Sequence, residues 1–316
     1  ASSCTEDMEY KDVDITPVEQ FYAPKDNYSA HLVASSTASV FFEWSSSLAE
    51  DGNSPQYEVV FDKADGNFSD PIYRTVSDDM GTRNYATISH KVLDKVAQLA
   101  GTEMGATDTV KWTVVSSRGI KSKMSSQVRT LEITRLNGFS EIPPQVFITG
   151  DGSEGGSDVS KALACSSPES GVFEIYTKLE AGKSYKFIDY KTGSSRTFYT
   201  DGSSLKESLD GNGEGTVAET AVYHITLDFN VATASMEKVV SVGWFFSPDN
   251  KVDVPLSYVG NGTWVGQGQT PFHQESWGRD ERYKFEMVLD KNGSQTTVHW
   301  GPTYKTDSRP GDNQGE

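Results

Sequence analysis

Short stretches in which apolar and polar residues alternate recur along the chain and predict β-strands. SVFFEW, residues 39–44, is one of them. VKWTVVSS, residues 110–117, is another. It places Val110, Trp112 and Val114 on one face, because successive side chains of a strand point to opposite sides. Further strands are predicted in GVFEIYTKL, AGKSYKFIDY, AVYHITLDF and RYKFEMVLD. Strands of this length predict an all-β chain built from tandem β-sandwiches.

One segment, SHKVLDKVAQLAG, has the period of a helix instead. Its apolar residues on one side are Val92, Leu93, Val96 and Leu99. Ser89 is predicted to cap the first turn, and Gly101 is predicted to end the helix. A set of strands with one short helix and a tryptophan-bearing strand predicts an immunoglobulin-like or fibronectin-like sandwich.

The chain is predicted to consist of a tether and three domains. Residues 1–16 are acidic and poor in apolar residues, which predicts a flexible tether. Residues 17–136 form the predicted immunoglobulin-like domain. The segment NGFSEIPP follows, and its paired prolines predict a stiff, extended linker. Two further sandwiches are predicted at residues 143–238 and 239–316.

The second and third domains look like diverged repeats. GVFE at residues 171–174 parallels GTWV at residues 262–265, and YKF at residues 185–187 parallels YKF at residues 283–285. The separation between the two motifs is seven residues longer in the third domain. An enlarged loop is therefore predicted there, and it contains Phe272, His273, Trp277 and Arg279.

Charge and hydropathy narrow the classes of function. The formal net charge is −17. Nucleic acid is not an expected partner, because phosphate binding needs a basic face, and docking on an anionic lipid surface is disfavoured for the same reason. The chain has no run of about 18 apolar residues, so no membrane-spanning helix is predicted.

No motif in the sequence predicts catalysis, a metal or a cofactor. The Gly-rich GDGSEGG, residues 150–156, carries two carboxylates and no lysine, so it is interpreted as a turn and not as a phosphate loop. A calcium loop of Asp151, Ser153 and Asp158 is the alternative, although its spacing differs from an EF-hand. The five histidines lack metal-ligand spacing, and no nucleophile motif occurs. The 45 acidic residues single out no glycosidase pair, so a non-enzyme is predicted.

The chain has two cysteines with different predicted roles. Cys4 follows three small residues and precedes an acidic pair, which is typical of a bacterial lipoprotein lipidation site. The alternative for Cys4 is a free thiol in a frayed terminus. Cys165 is predicted to be a small buried or half-buried residue, and a disulfide between the two is the less favoured possibility.

The predicted third domain contains four tryptophans, which are Trp244, Trp264, Trp277 and Trp300. Trp264 aligns with Phe173 of the second domain and is predicted in the core. Two residues of the WFF run that starts at Trp244 are also predicted to be buried. Trp277 lies in a charged loop and Trp300 at a strand end, so both are predicted to be exposed, with Tyr304 as a third aromatic residue.

Exposed aromatic rings with polar neighbours suit a sugar ligand, because sugar rings have apolar faces and a rim of hydroxyl groups. A glycan-binding site is therefore predicted around Trp277, Trp300 and Tyr304. Its hydrogen-bonding groups are predicted to be His273, Arg279, Arg282 and Lys284. The alternative is that residues 279–282 form a salt-bridged loop. Lys284 alternates with Tyr283 and Phe285, so it faces solvent if those two point inward.

The predicted second domain has no tryptophan. Its candidate glycan site is weaker and consists of Tyr190, Tyr199 and Arg196. The predicted first domain has no candidate site and is interpreted as a spacer.

Several of these segments resemble one known family. YEVVFDKADGNFSDP, the VLDKVAQLAG helix and VKWTVVSS resemble the N-terminal domain of SusE-type outer-membrane lipoproteins of Bacteroidetes. ITGDGSEGG and WGRDERYKF resemble the tandem carbohydrate-binding domains of SusE and SusF. The acidic tether after Cys4 resembles the export signal of surface lipoproteins in these bacteria. In one departure from the family pattern, no apolar strand follows Trp300 and Tyr304, so two alternatives are open: the third sandwich is truncated, or its tail is disordered.

The resemblance implies a non-catalytic glycan-binding lipoprotein on the outer face of the outer membrane, attached only through its lipid anchor. Its implied partners are a polysaccharide or oligosaccharide, a TonB-dependent transporter and a second glycan-binding lipoprotein. The alternative function is a surface adhesin or a structural protein that binds protein. The sequence does not identify the glycan.

Overall fold

The computed structural model describes residues 13–33, 35 and 37–301. The predictions for Cys4 and Tyr304 fall outside these residues. The chain is 51% strand and 7% helix, so the all-β sandwich prediction is confirmed. It forms two compact units that divide after Glu141, within the predicted linker. In the described part of the chain, no helix is both long enough and apolar enough to cross a membrane.

The first unit packs two sheets face to face. One sheet has the strand order β1-β3-β6, and the other has the order β2-β9-β7-β4-β5, with β8 paired to β7. The described strands are β1 (Phe21–Ala23), β2 (Tyr28–His31), β3 (Ser39–Trp44), β4 (Gln56–Lys63), β5 (Tyr73–Val76), β6 (Tyr85–Ser89), β7 (Thr107–Arg118), β8 (Lys121–Met124) and β9 (Arg129–Thr134). The described helical segments are α1 (Asp78–Gly81) and α2 (His90–Ala100).

The core of the first unit lies between these sheets and is centred on Trp112. Val110, Trp112 and Val114 are all fully buried, which confirms that they share the inner face of β7. The indole of Trp112 stacks on Phe21 with 4.5 Å between ring centroids and meets Phe42 edge to face at 4.9 Å. The alternation in β7 therefore defines one wall of the sandwich core.

Helix α2 begins and ends where the sequence predicts. The Ser89 side chain accepts a hydrogen bond from the Val92 amide at 3.2 Å. Gly101 follows the helix in a left-handed conformation, with φ of 94°. Leu93, Val96 and Ala97 are among the buried residues of the helix and pack into the core cluster of the first unit.

Replacing Ser89 by alanine is expected to lower the free energy of unfolding of the first unit by about 1 kcal/mol, because the Val92 amide loses its acceptor. The midpoint of chemical denaturation measures this change. Ser122 is an exposed serine on β8 and provides the control. Ser122→Ala is expected to change stability by less than about 0.5 kcal/mol. Equal effects of the two substitutions would contradict the capping role.

The second unit contains the other strands of the described residues. They are β10 (Phe147–Thr149), β11 (Leu163–Ala164), β12 (Ser166–Glu169), β13 (Val172–Leu179), β14 (Ser184–Ile188), β15 (Thr197–Asp201), β16 (Ser204–Ser208), β17 (Gly215–Thr216), β18 (Ala221–Asp228), β19 (Thr233–Phe246), β20 (Lys251–Gly260), β21 (Thr263–Val265), β22 (His273–Glu275), β23 (Gly278–Asp280), β24 (Tyr283–Lys291) and β25 (Ser294–Trp300). Its N-terminal part has an aromatic core in which Phe229 meets Phe173 at 5.6 Å and Phe198 at 5.0 Å between ring centroids.

Strand β19 joins the two parts of this unit. Its first half pairs with β18, and its second half pairs with β20 on one side and β24 on the other. The strand passes without a break through the predicted domain boundary between residues 238 and 239. Because this strand belongs to both parts, it does not mark a boundary between them, and the separation into sandwiches at residues 143–238 and 239–316 stays a prediction.

Candidate functional site

One face of the C-terminal sheet carries a row of aromatic residues. Trp244 on β19 lies opposite Phe285 on β24, and Phe285 lies opposite Trp300 on β25. Directly paired residues project from the same side of a sheet. Tyr283 is two positions before Phe285 and therefore shares this side. We call these four residues, Trp244, Tyr283, Phe285 and Trp300, the aromatic patch.

Three of the four residues of the aromatic patch are exposed to solvent. The exposed fractions are 42% for Tyr283, 38% for Phe285 and 40% for Trp300. Trp244 is partly buried, because its indole stacks between Tyr283, at 5.6 Å, and Phe246, at 5.4 Å between ring centroids. Tyr283 and Phe285 also meet edge to face at 6.1 Å. Mutual packing of the rings gives the patch a defined shape.

The same YKF motif is used differently in the two parts of the unit. Tyr185 and Phe187 of β14 are only 2% and 0% exposed. Their counterparts on β24, Tyr283 and Phe285, belong to the open aromatic patch. The repeated motif therefore builds a core in one place and an exposed aromatic surface in the other.

Lys284 lies on the opposite face of β24 from the aromatic patch. Its ammonium nitrogen is 5.1 Å from the centroid of the buried Phe245 ring, and Lys284 is itself partly buried. Its separation from Tyr283 and Phe285 follows the alternation predicted from the sequence. The expected orientation is reversed, however: the two aromatic residues face solvent, and Lys284 covers an apolar ring. The structure thus does not bring Lys284 together with Trp300.

A hairpin of β22 and β23 packs beside the patch. Phe272 and His273 each meet the ring of Phe246 at 5.8 Å between centroids, and Phe246 in turn supports Trp244. Trp277 lies in the turn of this hairpin and is 61% exposed. Trp277 and Trp300 are therefore both exposed, as predicted. Trp277 lies on the hairpin turn, and Trp300 lies on the sheet.

Several charged residues in and next to the hairpin are held in ion pairs. Arg279 pairs with Glu281, and its guanidinium lies 4.9 Å from the Phe272 ring centroid. Arg282 binds the buried carboxylate of Asp280 through two hydrogen bonds of 3.0 and 2.8 Å. His273 Nε2 lies 2.6 Å from Asp249 Oδ1. The salt-bridged loop, the alternative from the sequence, is thus present, and ligand contacts by these residues stay a prediction.

Trp264 and Tyr176 fill the space at the inner end of the patch. Trp264 is partly buried and meets Tyr176 edge to face at 5.9 Å. Tyr176 also meets Trp300 edge to face at 6.2 Å, and it stacks on His224 at 4.2 Å between centroids. Trp264 is less deeply buried than the sequence predicts. In the WFF run, Phe245 and Phe246 are buried as predicted.

The residues of the second candidate site have different surroundings. Arg196 forms a two-point ion pair with Glu207, at 3.0 and 3.2 Å, and lies 4.9 Å from the ring centroid of Phe198. Phe198 and Tyr199 are neighbours on β15, so their side chains point to opposite faces. Tyr199 lines an open depression of about 530 Å³, and Tyr190 is 43% exposed. A ligand role for Tyr190, Tyr199 and Arg196 stays a prediction.

The Gly-rich loop at residues 150–156 is a closed turn. The Gly150 amide donates to the Gly156 carbonyl at 3.0 Å, and the Ser153 hydroxyl donates to the Gly150 carbonyl at 2.7 Å. Asp158 accepts the Ser160 amide at 3.0 Å, so two of the three predicted calcium ligands, Ser153 and Asp158, serve the local backbone. Across the described residues, no three His, Cys, Asp or Glu side chains group as a metal site. Burial raises the pKa of the half-buried Cys165 thiol to about 12.

Sequence reasoning missed Trp244, Tyr283 and Phe285 as surface residues. The spacing of YKF showed that Tyr283 and Phe285 share a face, but it did not show which face is covered. Trp244 joins them only through the pairing register of β19 with β24.

Comparisons with known proteins find a similar family and a similar solved structure. Residues 6–115 match the family model described as SusE outer membrane protein. The crystal structure of SusF from Bacteroides thetaiotaomicron aligns with 91% of this chain and 77% of its own, at 12% identity and a TM-score of 0.33. No curated protein matches the chain. The family match covers about a third of the chain, so residues 6–115 are similar to SusE outer membrane proteins.

Proposed function

We propose that this protein binds polysaccharide or oligosaccharide at the bacterial cell surface, without catalysis, as part of a glycan-uptake system. The aromatic patch is the observation that supports this most strongly. Three of its rings are between 38% and 42% exposed on one sheet face. Contiguous exposed apolar surface is rare on soluble proteins and marks interaction sites. The match to the SusE family supports the same function.

The geometry of the patch suits a chain of sugar rings. Trp244, Phe285 and Trp300 lie on three neighbouring strands, which are spaced about 4.8 Å apart and thus span roughly 10 Å. A short oligosaccharide that lies across the strands can place its apolar ring faces on several aromatic rings. The Tyr283 hydroxyl and the indole N–H of Trp300 supply hydrogen bonds to sugar hydroxyls at the rim.

The proposed location is the outer face of the outer membrane. Lipidation at Cys4 anchors the chain, residues 1–16 act as the tether, and the predicted domain at residues 17–136 acts as a spacer. A TonB-dependent transporter and a second glycan-binding lipoprotein are the proposed partners. Several weak sites on one glycan chain then give higher overall affinity through multivalency. The net charge of −17 disfavours polyanionic glycans because of long-range repulsion.

A surface adhesin or a structural protein that binds protein is the alternative function. The aromatic patch is compatible with it, because Tyr, Trp and Phe are also enriched in protein–protein interfaces. Retention by a glycan favours the first function, and retention only by a protein favours the second. Release of reducing sugars would instead indicate a glycosidase, and we expect none.

A polysaccharide panel tests the proposal. The soluble Cys4→Ser chain would run in native gels that contain amylopectin, xyloglucan, galactomannan or polygalacturonate. We expect slower migration in at least one neutral polysaccharide and unchanged migration in polygalacturonate, because both the protein and that polymer are acidic. Unchanged migration in every gel would contradict glycan binding within this panel, and selective retardation by polygalacturonate would contradict the charge argument.

A further inference from the structure

The carboxylate of Glu154 joins two segments of the second unit that are far apart in sequence. Glu154 belongs to the Gly-rich loop that follows β10. This loop is tightly packed: a Cβ atom added at Gly152 would lie 2.8 Å from the Lys183 carbonyl oxygen, and one at Gly155 would lie 2.3 Å from that of Lys161. Close backbone approach thus requires glycine at both positions and holds Glu154 in place.

Four donors from two different elements converge on this carboxylate. At the end of β13, the Lys178 amide donates at 2.7 Å and the Thr177 hydroxyl at 3.3 Å. From the hairpin of β20 and β21, the Asn261 amide of the turn donates at 2.7 Å, and the Tyr258 hydroxyl of β20 also donates. We call Glu154 with these four donors the Glu154 bridge. It ties the β20–β21 turn to β13.

The protonation states of the Glu154 bridge agree with this geometry. Burial acts to raise the pKa of Glu154, but the hydrogen bonds from Lys178, Tyr258, Asn261 and Thr177 outweigh it and hold the pKa below its ordinary value. Burial and the adjacent Glu154 carboxylate raise the pKa of Tyr258 to about 12. At neutral pH, Glu154 is thus an acceptor and the Tyr258 hydroxyl is a donor.

A series of ring contacts connects the Glu154 bridge to the aromatic patch. Tyr258 meets Trp264 at 4.9 Å between ring centroids. Trp264 meets Tyr176 at 5.9 Å, and Tyr176 meets Trp300 at 6.2 Å. Trp300 is the member of the patch that borders this series. The β20–β21 turn is therefore connected to Trp300 through the packed rings of Trp264 and Tyr176.

We propose that Glu154 is a positioning residue for the aromatic patch. Its carboxylate fixes the β20–β21 turn on β13, which places Trp264 of β21 against Tyr176 of β13, and Tyr176 contacts Trp300. The consequence for ligand binding rests on the proposed glycan function. The fixation of the turn does not depend on that function, and it can be measured without a ligand.

Hydrogen exchange with mass spectrometry tests the fixation of the turn in the Cys4→Ser chain. Glu154→Ala is expected to speed exchange of the Lys178 and Asn261 amides by about tenfold or more, because each loses a charged acceptor. Faster exchange is also expected in residues 294–300, whereas residues 107–118 of the first unit should be unchanged. Glu169→Ala is the control, because Glu169 is an exposed glutamate on β12. Unchanged exchange at residues 258–265 would overturn the proposal.

Two conservative variants keep the test valid if Glu154→Ala folds poorly. Glu154→Gln retains one acceptor oxygen, so it should protect one of the two amides. Tyr258→Phe keeps the ring beside Trp264 but removes the hydroxyl that accepts the Gly262 amide, so exchange should increase at Gly262 and change little at Lys178. Uniformly faster exchange across the whole second unit in both variants would indicate general destabilisation and would overturn a positioning role.

Gel retardation by amylopectin, xyloglucan and galactomannan then separates the two proposals. If Trp300→Ala loses retention, Glu154→Ala is expected to weaken binding of the polysaccharide about tenfold. This size is taken from residues that orient metal ligands. The thermal midpoint of Glu154→Ala is expected to change little. Loss of retention in Trp300→Ala with full retention in Glu154→Ala would overturn the positioning role alone. Full retention in Trp300→Ala would overturn the proposed binding site, while the exchange result would still decide the fixation of the turn.

Discussion

Replacing Trp300 by alanine is expected to abolish retention of the protein in a polysaccharide gel that retards the parent chain. Trp300 is 40% exposed and lies at the end of the aromatic patch. Removal of an aromatic stacking partner costs about 1–3 kcal/mol in nucleic-acid complexes, which corresponds to roughly 5- to 150-fold in affinity. A glycan site that is already weak would then fall below detection. Migration as a function of polysaccharide concentration measures the dissociation constant.

Phe41 provides the matched control for this experiment. It is an exposed aromatic residue, 47% accessible, on β3 of the first unit, and Phe41→Ala should leave retention unchanged. Trp277→Ala tests the hairpin separately, and we expect it to reduce retention as well, because Trp277 is the most exposed of the tryptophans in the described chain. Equal retention of Trp300→Ala and the parent chain, with both proteins folded, would show that the patch is not the site.

Replacing Asp94 by alanine is expected to destabilise the first unit by about 3–5 kcal/mol, the range for breaking a buried ion pair. Arg135 donates to the two oxygens of Asp94 at 3.1 and 3.3 Å, and both side chains are only 5% exposed. Arg135 also donates to the Thr102 carbonyl at 2.6 Å. The substitution leaves a buried guanidinium without its counter-charge. Chemical denaturation followed by circular dichroism measures the loss.

Asp79 offers a control on the same unit. It pairs with Arg83 at 3.2 Å, and the side chains are 56% and 54% exposed. Asp79→Ala is therefore expected to change stability by only about 0–1 kcal/mol. A double replacement, Asp94→Leu with Arg135→Met, should recover much of the loss, because apolar residues can replace a buried pair at little cost. Similar effects of Asp94→Ala and Asp79→Ala would contradict the burial of the first pair.

The N-terminal unit illustrates how much of the fold is predictable from local sequence. Helix α2 was predicted with both ends, because Ser89 and Gly101 act through bonds and backbone angles within one turn of the helix. The shared face of Val110, Trp112 and Val114 follows from strand alternation alone. By contrast, the ion pair of Asp94 with Arg135 joins residues 41 positions apart, and no local pattern indicates it.

The candidate site was predictable only in part. The exposure of Trp277 and Trp300 followed from their charged or strand-end context, and the structure has both exposed. Trp244 and Phe285 were not identified, since they join Trp300 only through the register of three paired strands. Arg279 and Arg282 stay predicted ligand donors, and the structure pairs both of them with nearby carboxylates. Sequence proximity did not distinguish a donor for ligand from a partner in an ion pair.

The sequence by itself determined the strands, the capped helix and the sharing of faces within each strand, because these depend on periodicity and on contacts within a few residues. Only the tertiary structure decided which faces are covered. Tyr185 and Phe187 are buried, whereas Tyr283 and Phe285, in the same motif, are open. Burial depends on what packs over a strand, and the Glu154 bridge likewise depends on a contact 104 positions away along the chain. Neither property is encoded in the residues immediately around it.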